Sequence, residues 1–209
     1  MSIRNLELGE KMELACSDDT KAEVLFVLSM DKDWLVCTAV AENLNCPEEA
    51  FHKLATIQDR AVHWSLANNP NCPGDILCEL AKDIDDGVCV AVANNRNCPE
   101  GAFRELATKD SKTIRRLVAR NRGCPEDALR RLAKDEDEWV RRCVAKNPNC
   151  PEDVLYELAK DEEEWVSKAA GRVLEENYAS LEERIQSAMM YEGNNEDKEV
   201  PGKELGLER

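Results

Sequence analysis

An all-α solenoid of two-helix repeats is the fold class this sequence predicts, and three observations carry it. Cys-Pro recurs at Cys46-Pro47, Cys72-Pro73, Cys98-Pro99, Cys124-Pro125 and Cys150-Pro151, in steps of 26 residues without a slip. Within each step, apolar residues fall at helical spacing twice over. Charged residues make up 34% of the chain and aromatic ones 5%, which suits thin stacked layers better than one large core. Self-similarity at a fixed period of this size marks a repeat stack. The expected architecture is a right-handed αα-superhelix of 26-residue units.

The first helix of each unit, helix A, follows the Cys-Pro. Proline one residue inside a helical pattern loses no hydrogen bond, and its fixed φ suits the first turn. Acidic residues come next, as in Glu48-Glu49, Glu126-Asp127 and Glu152-Asp153, against the positive end of the helix dipole. Then come Phe51 and Leu54, Leu77 and Leu80, Phe103 and Leu106, Leu129 and Leu132, and Leu155 and Leu158, each pair followed by alanine. That is one amphipathic face.

A polar link such as Asp135-Glu136-Asp137 leads to helix B, where Val140, Cys143, Val144 and Asn147 share a face. Its counterparts start at Val36, Val62, Val88, Ile114 and Val166. One position is small throughout: Ala41, Ala67, Ala93, Ala119, Ala145 and Gly171. A fixed small residue points to close approach of a neighbouring backbone. Helix B ends at Asn43, Asn69, Asn95, Asn121 and Asn147, and asparagine tolerates the left-handed conformation that closes a helix.

The run Val140-Arg141-Arg142-Cys143-Val144-Ala145-Lys146-Asn147-Pro148-Asn149-Cys150-Pro151, with Leu155, Leu158-Ala159 and Asp161 after it, resembles the leucine-rich repeat variant family. The resemblance covers about residues 20–172. It implies a superhelix of paired helices, one of each pair being either α or 3-10. A family member carries an amino-terminal iron–sulfur cluster held by clustered cysteines. Here only Cys16 precedes Cys37, and one thiolate cannot hold a cluster that takes four, so no cofactor is expected. The family also usually has Ser or Thr where this chain repeats Cys.

In chain order, residues 1–190 form one domain. Residues 1–19 are a cap, in which Met12, Leu14 and Ala15 resemble a degraded helix B. Repeats occupy 20–172; the first lacks Cys-Pro but keeps Leu25 and Leu28. A capping helix at 173–190 is expected, with a capping-box sequence at Ser180-Leu181-Glu182-Glu183. Residues 191–209, polar with Pro and Gly, read as a flexible acidic tail.

Net charge is −15 and the pI about 4.7, which argues against sequence-independent binding to nucleic acid or an anionic membrane. No membrane-spanning run and no signal segment is evident, so a cytoplasmic monomer is expected. Ten cysteines invite a disulfide framework. Five obey the repeat, however, and packed helices place equivalent cysteines on the order of 10 Å apart, beyond disulfide reach.

Four features are candidate sites. The cysteine column Cys46, Cys72, Cys98, Cys124 and Cys150 sits where N-caps would be, as reactive thiols or, by preference, as small buried fillers. Cys37, His63 and Cys89 occupy equivalent positions and suggest zinc, but helix spacing is too long for one ion. The asparagine column could grip a peptide, although closing the helix explains it. The fourth is the outward face of helix B. One row reads Cys37, His63, Cys89, Arg115, Arg141, Ser167; the next Thr38, Trp64, Val90, Arg116, Arg142, Lys168; the third Glu42, Asn68, Asn94, Arg120, Lys146, Arg172. The early units are neutral and partly apolar and the later ones basic: residues 101–150 hold 13 Lys or Arg against 8 Asp or Glu.

No catalytic constellation is present. The sequence therefore reads as a non-catalytic scaffold for a protein or acidic peptide. Trp64 would anchor it, with Arg115, Arg116, Arg120, Arg141, Arg142, Lys146, Lys168 and Arg172 supplying charge. The alternatives are nucleic-acid binding in the same groove, which net charge disfavours, and metal or redox sensing by the cysteines.

Overall fold

The computed structural model describes residues 3–196, and every element among them is helical. A 3-10 turn (Ile3–Asn5) and α1 (Leu8–Cys16) open the chain. The A helices are α2 (Ala22–Leu28), α4 (Glu48–Ala55), α6 (Gly74–Leu80), α8 (Glu100–Leu106), α10 (Glu126–Leu132) and α12 (Glu152–Leu158). The B helices are α3 (Trp34–Glu42), α5 (Arg60–Asn68), α7 (Asp86–Asn94), α9 (Lys112–Arg120), α11 (Glu138–Ala145) and α13 (Glu164–Glu196). Both members of each pair are α-helices, so the 3-10 alternative does not apply. Successive B helices pack on one another in a column that α1 begins, and successive A helices α2 to α10 form a second column beside it. The molecule is an all-helical repeat solenoid.

The proline of each Cys-Pro is the last extended residue before helix A rather than its first helical one: Pro47 has φ −75° and ψ 157°. The cysteine therefore lies one residue outside the cap. Helix B starts on a carboxylate in four units, where Asp33, Asp59, Asp85 and Asp137 accept backbone N–H bonds of the first turn. Between the columns lies a continuous apolar seam. Val36, Val62, Val88, Ile114 and Val140 of the B helices are fully buried there, with Leu25, Leu54, Leu77, Leu106 and Leu129 of the A helices. Burying each such side chain stabilises the stack by roughly 1.5–3 kcal/mol.

The asparagine column has a different job from the one expected. Its residues are extended, with φ −66° and ψ 127° at Asn43, and no described residue has positive φ. The side chain ties one repeat to the last. Asn69 Nδ2 donates to Ala41 O (2.7 Å) and Asn43 O (3.0 Å), while its Oδ1 accepts from Asn71 N. Asn43, Asn95 and Asn147 repeat this double bond to the preceding layer. The small position is explained at the same time. Ala41, Ala67 and Ala119 are fully buried and expose their carbonyls to the next asparagine, which a larger side chain would hold off.

Helix α13 departs from the expected end. A separate capping helix within 173–190 does not form; one helix runs unbroken to Glu196 and packs along α12 as well as α11. The reason is local. Where earlier B helices meet Asn, two further residues and then Cys-Pro, this one continues Val173-Leu174-Glu175-Glu176, with no proline to stop it. The first residues of the expected tail, 191–196, belong to this helix, and residues 197–209 lie outside the described part.

Candidate functional site

The first row of helix B proves to be inward. Cys37 and Cys89 are buried, and their thiols donate to carbonyls of their own link: Cys37 Sγ to Asp31 O (3.4 Å), Cys89 Sγ to Asp83 O (3.4 Å). Arg115 does the same with Nη1, to Lys109 O (2.9 Å) and Asp110 O (2.7 Å), and Arg141 to Asp135 O (2.8 Å). The rest of each guanidinium grips the link of the next unit. Arg115 meets Asp135 at 2.7 Å, and Arg141 meets Asp161 at 2.7 Å. His63 Nδ1 faces Asp83 Oδ2 at 2.6 Å in the same way, and Lys11 of the cap reaches Asp31 at 2.9 Å. Arg115 and Arg141 therefore belong to the framework. Their position sits over two polar links whose carbonyls need donors, a requirement that spacing along one helix does not reveal.

The other two rows do face outward. Arg116 is half-buried and closes on Asp137 with two bonds (2.9 and 2.7 Å), which holds that carboxyl below the usual range. Arg142 lies 5.3 Å above the ring of Trp139, with Arg116 at 5.9 Å. Lys168 pairs with Glu164 on its own helix at 2.5 Å. Arg120, Lys146 and Arg172 are exposed and make no ion pair among the described residues. The half-buried Cys143 thiol is pushed up by burial and pulled down by Arg120, Arg116, Arg142 and Lys146, so the four cations share one field.

The aromatic component is larger than Trp64 alone. All four tryptophans lie on helix B and are exposed: Trp34 50%, Trp64 47%, Trp139 39% and Trp165 44%. Trp139 and Trp165 stack across the layers with centroids 5.0 Å apart and rings tilted by 43°. A readable signal was present: these two stand one period apart, i−3 from Arg142 and Lys168, and so share their face. Trp64 itself stands three layers before Trp139, with Thr38 and Val90 in its own row.

The cysteine column behaves as filler. Cys46, Cys72 and Cys124 are buried, and all five thiols are pushed up to about 12, first by desolvation. Each sulfur points back at the carbonyl of its own proline, 3.7–3.9 Å away. Among the described residues no three His, Cys, Asp or Glu side chains are grouped to hold a metal. No described helix is long and apolar enough to cross a membrane.

No protein-family model matches the chain, and no curated protein matches it. It is similar to a solved structure described as a leucine-rich repeat variant with a novel repetitive protein structural motif. The two are 24% identical over 73% of this chain and 71% of that one, with a TM-score of 0.42. That description is of the family the repeat resembles.

Proposed function

We propose that this protein is a non-catalytic scaffold that holds a protein or acidic peptide on the outward face of its B helices. The observation that carries the reading is the placement of all four tryptophans, exposed, on that one face. Large exposed aromatics on a face that also carries cations are what binding surfaces concentrate. On the A helices Arg104 pairs with Asp127 and Glu100, and Arg130 with Asp153. In a chain of net charge −15, a row of three cations that make no ion pair among the described residues offers charge that an anionic partner would complete.

The test compares affinity capture by the wild type with a variant carrying Arg120→Glu, Lys146→Glu and Arg172→Glu, after circular dichroism shows equal helicity. A protein retained by the wild type and lost from the variant supports the scaffold. Equal capture by both sinks this placement, and loss of nuclease-sensitive material moves the reading to nucleic acid.

A further inference from the structure

Resting on that reading, we infer that the ligand is an acidic segment in the polyproline II conformation, with a carboxylate at every third residue. The cations that define it are Arg120, Lys146 and Arg172, one helix-B position in three successive layers. A favourable helix dipole would explain Arg120 and Lys146 at the ends of α9 and α11. It does not explain Arg172, which lies well inside α13. The same position in earlier layers is Glu42, Asn68 and Asn94, so the fold does not demand a cation there.

The spacing selects the ligand. Helices packed through alanine and valine lie on the order of 8–10 Å apart, so the backbone positions that carry successive cations are spaced at about that interval. A polyproline II strand has three residues per turn and advances about 9 Å per turn, so every third side chain returns to the same face at that interval. A β-strand brings side chains back at every second residue, about 7 Å, and falls out of step. The face is also entirely helical and offers no sheet edge, so a bound strand finds no backbone partners. Polyproline II needs none, because its backbone stays solvated. Two helical turns before the cations, on the same outward face, stands the stacked pair Trp139 and Trp165, an aromatic platform of the kind that receives proline rings. Arg116, Arg142 and Lys168 lie between that pair and the free row, each already engaged by Asp137, Trp139 or Glu164.

The test uses two fluorescein-labelled peptides of about 12 residues and equal composition, one a Pro-Pro-Glu repeat and one with its prolines and glutamates in separate blocks. Fluorescence anisotropy on the full chain reads the affinity. Tighter binding of the repeat peptide, by about tenfold or more, is expected. Trp139→Ala with Trp165→Ala, and separately Arg120→Gln with Lys146→Gln, should each remove most of that preference without loss of helicity. Equal affinities overturn the spacing argument, as does tighter binding of a single-stranded oligonucleotide of similar length. If neither peptide binds while protein capture still depends on Arg120, Lys146 and Arg172, this inference falls and the scaffold reading stands.

Discussion

Arg115 Nε and Nη2 close on Asp135 Oδ2 and Oδ1 at 2.7 and 3.1 Å, joining two repeats across 20 residues of sequence. The same two positions recur in every layer and their chemistry goes together. Where the second is aspartate, the first is a cation or histidine: Lys11 with Asp31, His63 with Asp83, Arg141 with Asp161. Where it is Ile57 or Lys109, the first is cysteine, Cys37 or Cys89. A cation or histidine stands at the first position only where aspartate stands at the second, as desolvation of a charge favours.

Arg115→Cys alone should therefore cost about 3 kcal/mol, because Asp135 is left nearly buried without its counter-charge. Arg115→Cys with Asp135→Ile copies the Cys37 and Ile57 layer and should recover most of that loss. Urea unfolding of the three proteins checks the coupling; a double variant no better than the single one removes the pairing rule.

Asn147→Ala should cost about 2 kcal/mol, through loss of bonds to Ala119 O and Asn121 O. Asn121→Ala should cost less, since Asn121 makes a single such bond, to Ala93 O at 2.9 Å. Thermal melts of the two variants give the order.

The junction between the layers of α7 and α9 lacks several ties that the later junctions have. Its rung is Cys89 beside Lys109, which donates to Asp83 O rather than forming an ion pair. Its A-helix partners are Cys78 and Gly101, where the later junctions have Arg104 with Asp127 and Arg130 with Asp153. Gly123 also stands where Asn71 and Asn149 donate to the preceding loop. Native-state hydrogen exchange should show the amides of α7 opening below the global free energy. Cys78→Arg with Gly101→Asp should add about 1 kcal/mol, through the restored pair and the removal of a helical glycine.

The repeated thiols should be inert at neutral pH. With folded values near 12 against an ordinary 9.0, Cys46, Cys72 and Cys124 stay protonated in the native protein. At pH 8 an aromatic disulfide reagent should label exposed Cys16 in a fast phase and these three only as fast as the stack opens. The sign of linkage follows. A raised folded pKa contributes stability that is complete below about 9 and is lost as pH rises toward 12. Stability measured from pH 8 to 11 should fall, and cysteine-to-alanine replacement should flatten the fall.

Asp137 and Asp161 are held below 3.8 by Arg116 and Arg141. Their contribution is present above that value and disappears as pH falls through the lowered folded pKa. Acid unfolding should begin below about pH 4, and Asp161→Asn should lose stability at neutral pH while becoming less acid-sensitive.

The period, the helix pair, the apolar faces and the small position that meets the next backbone were legible because the repeat displays each of them several times over. Asparagine closing helix B was legible as a location but not as a mechanism. Its backbone is extended rather than left-handed, and its side chain works on the layer before. The outward rows that carry Arg120, Lys146 and Arg172 were also readable from helical spacing, as was Trp64. Trp139 and Trp165 stood one period apart and carried the same signal.

Sequence alone determined what recurs, since local propensity and period act along the chain. Only the tertiary structure decided which cations are free. Arg115 and Arg116 are neighbours in sequence, yet one is buried against Asp135 and the other half-exposed against Asp137, while Arg120 pairs with no carboxylate among the described residues. That division depends on which link of the next layer each side chain reaches, a distance of a few ångströms between residues 20 or more apart, and an ion pair forms only where that distance is short.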